Sequence, residues 1–520
     1  MRIPLDRESA VPLYRQAQDF LRGEIHSGSL APHTRLPASR ELAASLGVNR
    51  LTVMNAYAGL EAEGLVYSRQ GSGTYVADPL PSQVAENAGA PASDWPLWQQ
   101  ELLSPSWLPA QYEPDQAAAL PARPDVISFA AGMGDGSLFP LEEFRRVLQE
   151  VLRAGGREAL GYGEREGYLP LRATIAHILA SQGIQAQPEQ LLITSGAQQG
   201  LALVSRLLLR PGDAVVVESP TYAGAIDLFR SLEVRLAGVP VDEQGMQVER
   251  VEDLLRTARP RLIYTIPTFQ NPTGTCMSLA RRRQLIVLAD RYHVPILEDD
   301  FVGELRFEGQ ALPSLAALAP AGQVIYMRTF SKMLMPGLRV GCLLANGPVY
   351  DRLVLCKRVD DLASSSLIQR ALDAFITVGR YQSHLRRACK LYQHRRDAML
   401  EALTRYLPPG SHWRAPQGGL FIWVRLPGGL ASSEVLPYAA AEGVSFAAGS
   451  HFFAGARSQP FLRLNFAEHA PESIEEGIRR LGQAVKRGLA EKAKLEQATA
   501  AERRAVPSQR GPAAPGPLTS

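Results

Sequence analysis

Five short apolar runs recur through the middle of this 520-residue chain: Leu191–Thr194, Ala214–Glu218, Leu262–Thr265, Pro295–Glu298 and Val324–Met327. Each has the length of a buried strand, and segments of helical periodicity fill the intervals. Strands alternating with helices build an α/β domain around a largely parallel sheet. Ligands of such sheets collect outside the carboxyl ends of the strands. The residues that follow each run are therefore where chemistry is expected.

Those residues are unusual as a set. Ser195-Gly196-Ala197-Gln198-Gln199-Gly200 follows the first run and opens a helix, whose free N–H groups and dipole suit a phosphate. Pro220-Thr221-Tyr222 follows the second, and Tyr222 can stack on a flat ring. Gln270-Asn271-Pro272-Thr273-Gly274 follows the third, where Asn271 can donate to a ring hydroxyl. Asp299-Asp300-Phe301 follows the fourth. A carboxylate there can keep a pyridine nitrogen protonated, although an Asp-Asp pair is also a candidate Mg²⁺ site. Thr329-Phe330-Ser331-Lys332 follows the fifth, with Arg339 after the Pro336-Gly337 break. A lysine leaving a buried strand can form a Schiff base with pyridoxal 5′-phosphate, with Thr329, Ser331 and Arg339 donating to the phosphate. Alone, Ser-Lys also reads as a surface turn, Asn-Pro-Thr-Gly as an ordinary turn and Tyr222 as packing.

The first 78 residues are organised differently. Leu13, Ala17, Phe20, Leu21 and Ile25 recur at helical spacing up to Gly28. Ser39 is expected to cap a short helix to Leu46, with Gly47 as the turn. Asn49 is expected to cap a third helix with Val53, Ala56, Tyr57 and Leu60 inward, stopped by Gly64. Leu65–Ser68 and Thr74–Ala77 then read as a hairpin around residues 69–73. Three helices and a hairpin make a winged helix-turn-helix. Arg40, Asn49, Arg50 and Thr52 would lie at the helix ends that enter a major groove, where arginine can bridge guanine O6 and N7. Arg35 adds charge beside them, and Gly71 and Gly73 would let the wing approach a DNA backbone closely. The arginines of the whole segment are balanced by acids. Between Arg35 and Thr52, though, only Glu41 opposes Arg35, Arg40 and Arg50. A small protein-binding winged helix is the other reading.

Residues 79–124 are rich in Pro, Ala, Gln and Ser and read as a linker. Trp95, Trp98 and Trp107 are expected to dock part of it on a folded surface, with a short helix near 98–103. The mixed-charge, then Pro/Gly-rich residues 489–520 read as a disordered tail. The expected division is thus 10–78 head, 79–124 linker, 125–488 body and 489–520 tail. Net charge is only +3, so the molecule is not a polycation. The first residues do not read as a signal peptide, and no apolar run approaches membrane-spanning length. Cys276, Cys342, Cys356 and Cys389 lack metal-type spacing and suit a reducing cytoplasm as buried thiols.

Two resemblances sharpen these expectations. Leu36-Pro37-Ala38-Ser39-Arg40-Glu41-Leu42-Ala43, Leu46-Gly47-Val48-Asn49-Arg50-Leu51-Thr52-Val53 and Gly71-Ser72-Gly73-Thr74-Tyr75-Val76 closely resemble the GntR-type DNA-binding domain. Residues 125–485 resemble the fold-type I, aspartate-aminotransferase-like family. That second resemblance implies Lys332 as the Schiff-base lysine, Asp299 on the pyridine nitrogen, Asn271 on the phenolic oxygen and Tyr222 on the ring. It implies Ala197, Gln198, Thr329, Ser331 and Arg339 around the phosphate, and Arg463 for a substrate or effector carboxylate. Tyr162, in Leu160-Gly161-Tyr162-Gly163, matches the tyrosine that this family sends into the neighbouring subunit's phosphate site, which implies a homodimer. Phe301 departs from relatives that carry tyrosine there, so a hydroxyl near the ring oxygen is missing. A GntR-type head on an aminotransferase-like body is the architecture of MocR-type bacterial regulators. The implied function is pyridoxal-phosphate-dependent transcriptional regulation on a double-stranded DNA operator, with an amino compound or the cofactor itself as effector. An active aminotransferase carrying a DNA-binding head is the alternative.

Overall fold

The structure, a computed structural model, describes residues 3–77 and 125–505, except for 8, 10, 27, 28, 70–72, 456 and 457, together with Pro96 and Gln99. The linker tryptophans, the helix expected near 98–103, Gly28 and Gly71 lie outside the described residues. The chain divides into an N-terminal and a C-terminal unit.

In the first unit, α1 (Leu13–His26), α2 (Ser39–Leu46) and α3 (Arg50–Ala62) precede the hairpin of β1 (Val66–Arg69) and β2 (Gly73–Val76). The hairpin register pairs Val66 with Val76 and Arg69 with Gly73. Ala17, Leu21, Leu42, Val53, Ala56, Leu60, Val66 and Val76 form one buried cluster. Truncating a core side chain such as Leu60 to alanine costs about 2–5 kcal/mol. The Asn49 side chain accepts from the Leu51 N–H, as a cap should. Ser39 does not cap: α2 starts at Ser39 itself, and Ala38 occupies the cap position without a side-chain bond. The Ser39 hydroxyl is instead within 3.3 Å of Arg50 Nε, a donor on α3. Ile3 is buried in the same core, so the head begins before residue 10.

The second unit opens with the short strand β3 (Ile127–Ser128), which pairs in parallel with Val444–Ser445, and is built on one large sheet. Its strands are β4 (Leu191–Thr194), β5 (Ala214–Ser219), β6 (Arg235–Asp242), β7 (Gly245–Met246), β8 (Leu262–Thr265), β9 (Ile296–Asp300), β10 (Val324–Thr329) and β11 (Gly341–Leu344). They lie in the order β4-β11-β10-β9-β8-β5-β6-β7. β11 is antiparallel to both its neighbours and β7 to β6, while β10, β9, β8, β5 and β6 run parallel. β4, β8 and β10 are buried along their whole length, which is why their sequences are continuous apolar runs rather than alternating ones. All five expected strands are present, and their carboxyl ends define one edge of the sheet.

A smaller antiparallel sheet follows, its strands Phe421–Arg425 and Phe461–Asn465 paired so that Trp423 faces Arg463. The helix Pro471–Ala505 closes the described chain. The tail expected from 489 is therefore helical as far as Ala505, and 506–520 lies outside the described residues. Lys, Glu and Ala all favour helix, and Leu489 packs on the body core. Lys492 also donates to the Gly429 carbonyl at 2.6 Å. Cys342 is buried, whereas Cys276, Cys356 and Cys389 are only partly so, and all four are free thiols. Among the described residues no helix is long and apolar enough to cross a membrane.

Candidate functional site

The carboxyl edge of the body sheet carries a group of buried polar residues. Asp299, on β9, is 4% exposed. Its Oδ2 accepts from the Tyr264 hydroxyl of β8 at 2.7 Å, while Oδ1 is buried with no partner among the described residues. Burial pushes this carboxyl up to about 7, against the Tyr264 hydrogen bond. Asp300 serves a different surroundings. It accepts from the Tyr326 hydroxyl at 2.5 Å and from the Gly303 N–H at 2.8 Å. Successive side chains of a strand point to opposite faces, so the two aspartates do not converge. Among the described residues no carboxylate, histidine or cysteine cluster suits a metal.

Lys332 sits in the turn after β10. Burial, then the Arg463 and Arg339 cations, holds its amine below the ordinary lysine range. A neutral amine is the nucleophilic form. Arg463 itself is 7% exposed. It donates to Asn271 Oδ1 at 3.1 Å and to the Ala130 carbonyl at 2.7 Å. Its guanidinium lies 4.1 Å from the centroid of the Phe421 ring. Phe421 stacks in turn on Phe301, with centroids 6.3 Å apart and planes inclined by 17°. Phe301 thus helps support an aromatic seat for Arg463 and offers no hydroxyl to the site.

The turn before the helix Ala197–Leu208 forms a cradle. Gly196 has φ +94°, and a Cβ there would come within 2.8 Å of the Arg339 guanidinium. Glycine fits because it tolerates the positive φ and leaves that space open. Arg339 donates to the Ser195 carbonyl at 3.1 Å and lies 3.5 Å from Ser331 Oγ. The Ser331 N–H donates to Thr329 Oγ1 at 3.1 Å. The Tyr222 hydroxyl donates to Gln198 Oε1 at 3.2 Å, bringing the second strand end to the first. Lys332, Asp299, Asn271, Tyr222, Ala197, Gln198, Thr329, Ser331, Arg339 and Arg463 therefore all belong to one edge of the body. Tyr162 does not join them within the chain; it is 90% exposed.

On the head, Arg35, Arg40, Asn49 and Arg50 are exposed and Thr52 is half-buried. Asn49 Oδ1 is engaged in its cap, 2.9 Å from the Leu51 N–H. Gly73 is part of β2 rather than the wing tip. A Cβ on it would stand 2.9 Å from Arg35 Nε, so this glycine makes room for Arg35.

Comparison with known proteins separates the two halves. Residues 13–76 match the gntR family of bacterial regulatory proteins, and residues 124–481 match aminotransferase class I and II. The probable rhizopine catabolism regulatory protein MocR of Rhizobium meliloti is 34% identical, over 92% of this chain and 95% of its own. The uncharacterized HTH-type transcriptional regulator YdfD of Bacillus subtilis is 32% identical, over 92% of this chain and 97% of its own. The solved structure of LysN, an α-aminoadipate aminotransferase from Thermus thermophilus complexed with N-(5′-phosphopyridoxyl)-L-leucine, is similar at 37% identity and a TM-score of 0.67, covering 72% of this chain and 97% of its own. Relatives that share both halves decide the family.

The chain is a MocR-type member of the GntR family.

The aminotransferase-like half of a MocR-type protein implies pyridoxal 5′-phosphate, and the residues present fit that group. The unpartnered Asp299 Oδ1 is a buried acceptor suited to a ring N–H. The Gly196–Arg339 cradle suits a phosphate, and Lys332 is a desolvated amine. When bound, the cofactor supplies an aldehyde carbon for amines and a ring that withdraws electrons. Asp299 would hold the ring, Asn271 and Tyr222 would orient it, and Lys332 would offer an amine whose pKa burial has lowered.

Three features of this MocR-type site escaped the sequence reading. Tyr264 orients Asp299, but a tyrosine in a buried strand looks like core. Gln270 ties the Asn271 turn to β5, donating to Glu218 Oε2 at 3.0 Å and to the Pro220 carbonyl at 2.7 Å. The segment Ala130–Gly134 passes beside Arg463 and Asn465, whose Nδ2 donates to the Met133 carbonyl at 2.7 Å. The glycines at 132, 134 and 136 were the available signal, since closely approached backbone favours glycine.

Proposed function

We propose that this protein is a homodimeric, pyridoxal-phosphate-dependent transcriptional regulator. Its winged helix binds a double-stranded operator, and its body takes up an amino compound, or the cofactor itself, as effector. The observation that carries this reading is the pairing, in one chain, of the Asp299–Lys332–Arg463 site with an exposed basic helix-turn-helix. Arg463 suits an effector that bears a carboxylate as well as an amine, because a guanidinium binds carboxylate through two parallel hydrogen bonds. Asn271 and the Ala130 carbonyl hold it ready. Regulator relatives that extend over both halves favour this reading over a working aminotransferase.

The deciding test measures turnover and operator affinity together. With pyridoxal 5′-phosphate present, candidate amino acids are added with and without an oxo acid. An amine-dependent change in operator affinity without sustained product formation is expected. Sustained transamination with operator affinity unmoved would establish the aminotransferase alternative instead.

Tyr162 motivates the dimer. Its exposure and its match to a cross-subunit tyrosine support a site shared between chains. A mixed dimer of one Lys332→Ala chain and one Tyr162→Phe chain tests this. In a shared arrangement one site carries both defects and the other neither, so half of the sites should take up cofactor normally. If no normal site appears, Tyr162 serves its own chain.

A further inference from the structure

The outward face of α3 is apolar where groove-reading helices usually carry polar groups. Leu51 is 60% exposed and Met54 45% exposed. Asn55 and Ala58 are exposed beside them. Positions 51, 54, 55 and 58 lie on one side of a helix, opposite the buried Val53, Ala56, Tyr57 and Leu60. The head's own core therefore accounts for the inward apolar residues and leaves Leu51 and Met54 unexplained.

Their frame is cationic. Arg40 and Arg50 are exposed at the starts of α2 and α3; Glu41 is the one acid in the first turn of α2, and α3 has none in its first turn. Arg50 Nε lies 3.3 Å from Ser39 Oγ, which ties this arginine to the α2 edge of the stripe. The only acid of α3, Glu61, lies at its far end and accepts from the Ser68 N–H at 3.0 Å. A partner matching this surface must offer small apolar groups bordered by negative charge. The major groove of DNA does so wherever it holds thymine: the 5-methyl group projects into the groove, and phosphates line both sides. An apolar side chain buries that methyl, and the arginines meet phosphate or guanine.

We propose that Leu51 and Met54 read thymine 5-methyl groups, so that the half-site under α3 holds thymines opposite these two residues. Asn55, next to Met54 on the same side of the helix, suits the adenine of a neighbouring A·T pair. The proposal rests on the reading of the head as a DNA-binding domain.

The test uses the full chain and a duplex selected from a random library for tightest binding. Each thymine of that duplex is replaced singly by deoxyuridine, which removes the methyl and keeps every hydrogen-bonding group. Affinity should fall about fourfold at each position where a methyl is buried. Leu51→Ala and Met54→Ala should each abolish that sensitivity at one position and keep it at the other. Both residues are exposed, so the variants should melt with the wild type, and a melting curve checks this. A selected duplex that Arg50→Ala weakens but deoxyuridine leaves unchanged at every position overturns the thymine assignment alone. Failure to select any duplex overturns the DNA-binding reading, and the assignment with it.

Discussion

The head and the body present their working groups in opposite ways. Arg40, Arg50 and Leu51 stand in water on a small core that needs only the other side of α3. Asp299, Asn271 and Ser331 are buried at the strand ends, and Arg463, from the smaller sheet, is buried against Asn271. An exposed group binds through what it adds, and replacing it away from the core changes stability by about 0.5 kcal/mol or less. A buried polar group works through what surrounds it. Asp299 stands near pH 7 because burial penalises its charge, and Lys332 stands low for the same reason. Function and folding should therefore separate cleanly in the head and remain coupled in the body.

The largest expected effect is in the body. Lys332→Ala should abolish the borohydride-fixed adduct with pyridoxal 5′-phosphate, because only a primary amine at that strand end can form it, and should leave cofactor-free operator binding intact. An undiminished adduct, located by mass spectrometry, would move the attachment elsewhere. Next comes the head. Arg40→Ala and Arg50→Ala should each weaken operator binding by about 1–3 kcal/mol if they contact bases, with the adduct yield unchanged. A phosphate contact would show instead as a shallower salt dependence. Unchanged affinity in both variants would favour a protein-binding head.

Smaller effects sharpen the contrast. Asp299→Asn should weaken cofactor binding more than Tyr264→Phe does, since Tyr264 acts through Asp299. The Tyr264→Phe cost should be about 1 kcal/mol, the ordinary net worth of one hydrogen bond. Equal losses from a cofactor titration would make Tyr264 a direct ligand. Phe301→Tyr is expected to be smallest. A hydroxyl near the ring oxygen stabilises its deprotonated form, so the visible band of the bound cofactor should titrate at lower pH. Superimposed titrations would show that the new hydroxyl does not reach the ring.

Much of this contrast was legible in the sequence, for a physical reason. Strands buried on both faces must be continuously apolar, so the residues that interrupt them at the carboxyl edge stand out. Lys332, Asp299 and Asn271 were visible in that way. The Phe301–Phe421–Arg463 stack was not, because it joins segments far apart in the chain. Tyr264 was hidden by its resemblance to core. In the head, the composition at Ser39 suited a cap, yet α2 begins one residue earlier than a serine cap requires, and the hydroxyl faces Arg50 instead. Gly73 looked like a wing-tip glycine and proves to be the space for Arg35. From residue 489 onward, mixed charge suggested disorder, but helix-forming residues continue the last helix to Ala505.

The central claim is that occupancy of the body alters how the head meets DNA. It is tested most directly by titrating one operator with wild type and with Lys332→Ala, each with and without pyridoxal 5′-phosphate. The account expects cofactor to change the operator affinity of the wild type and to leave that of Lys332→Ala unmoved. Operator affinity that ignores the cofactor and its amine partners in the wild type would contradict it.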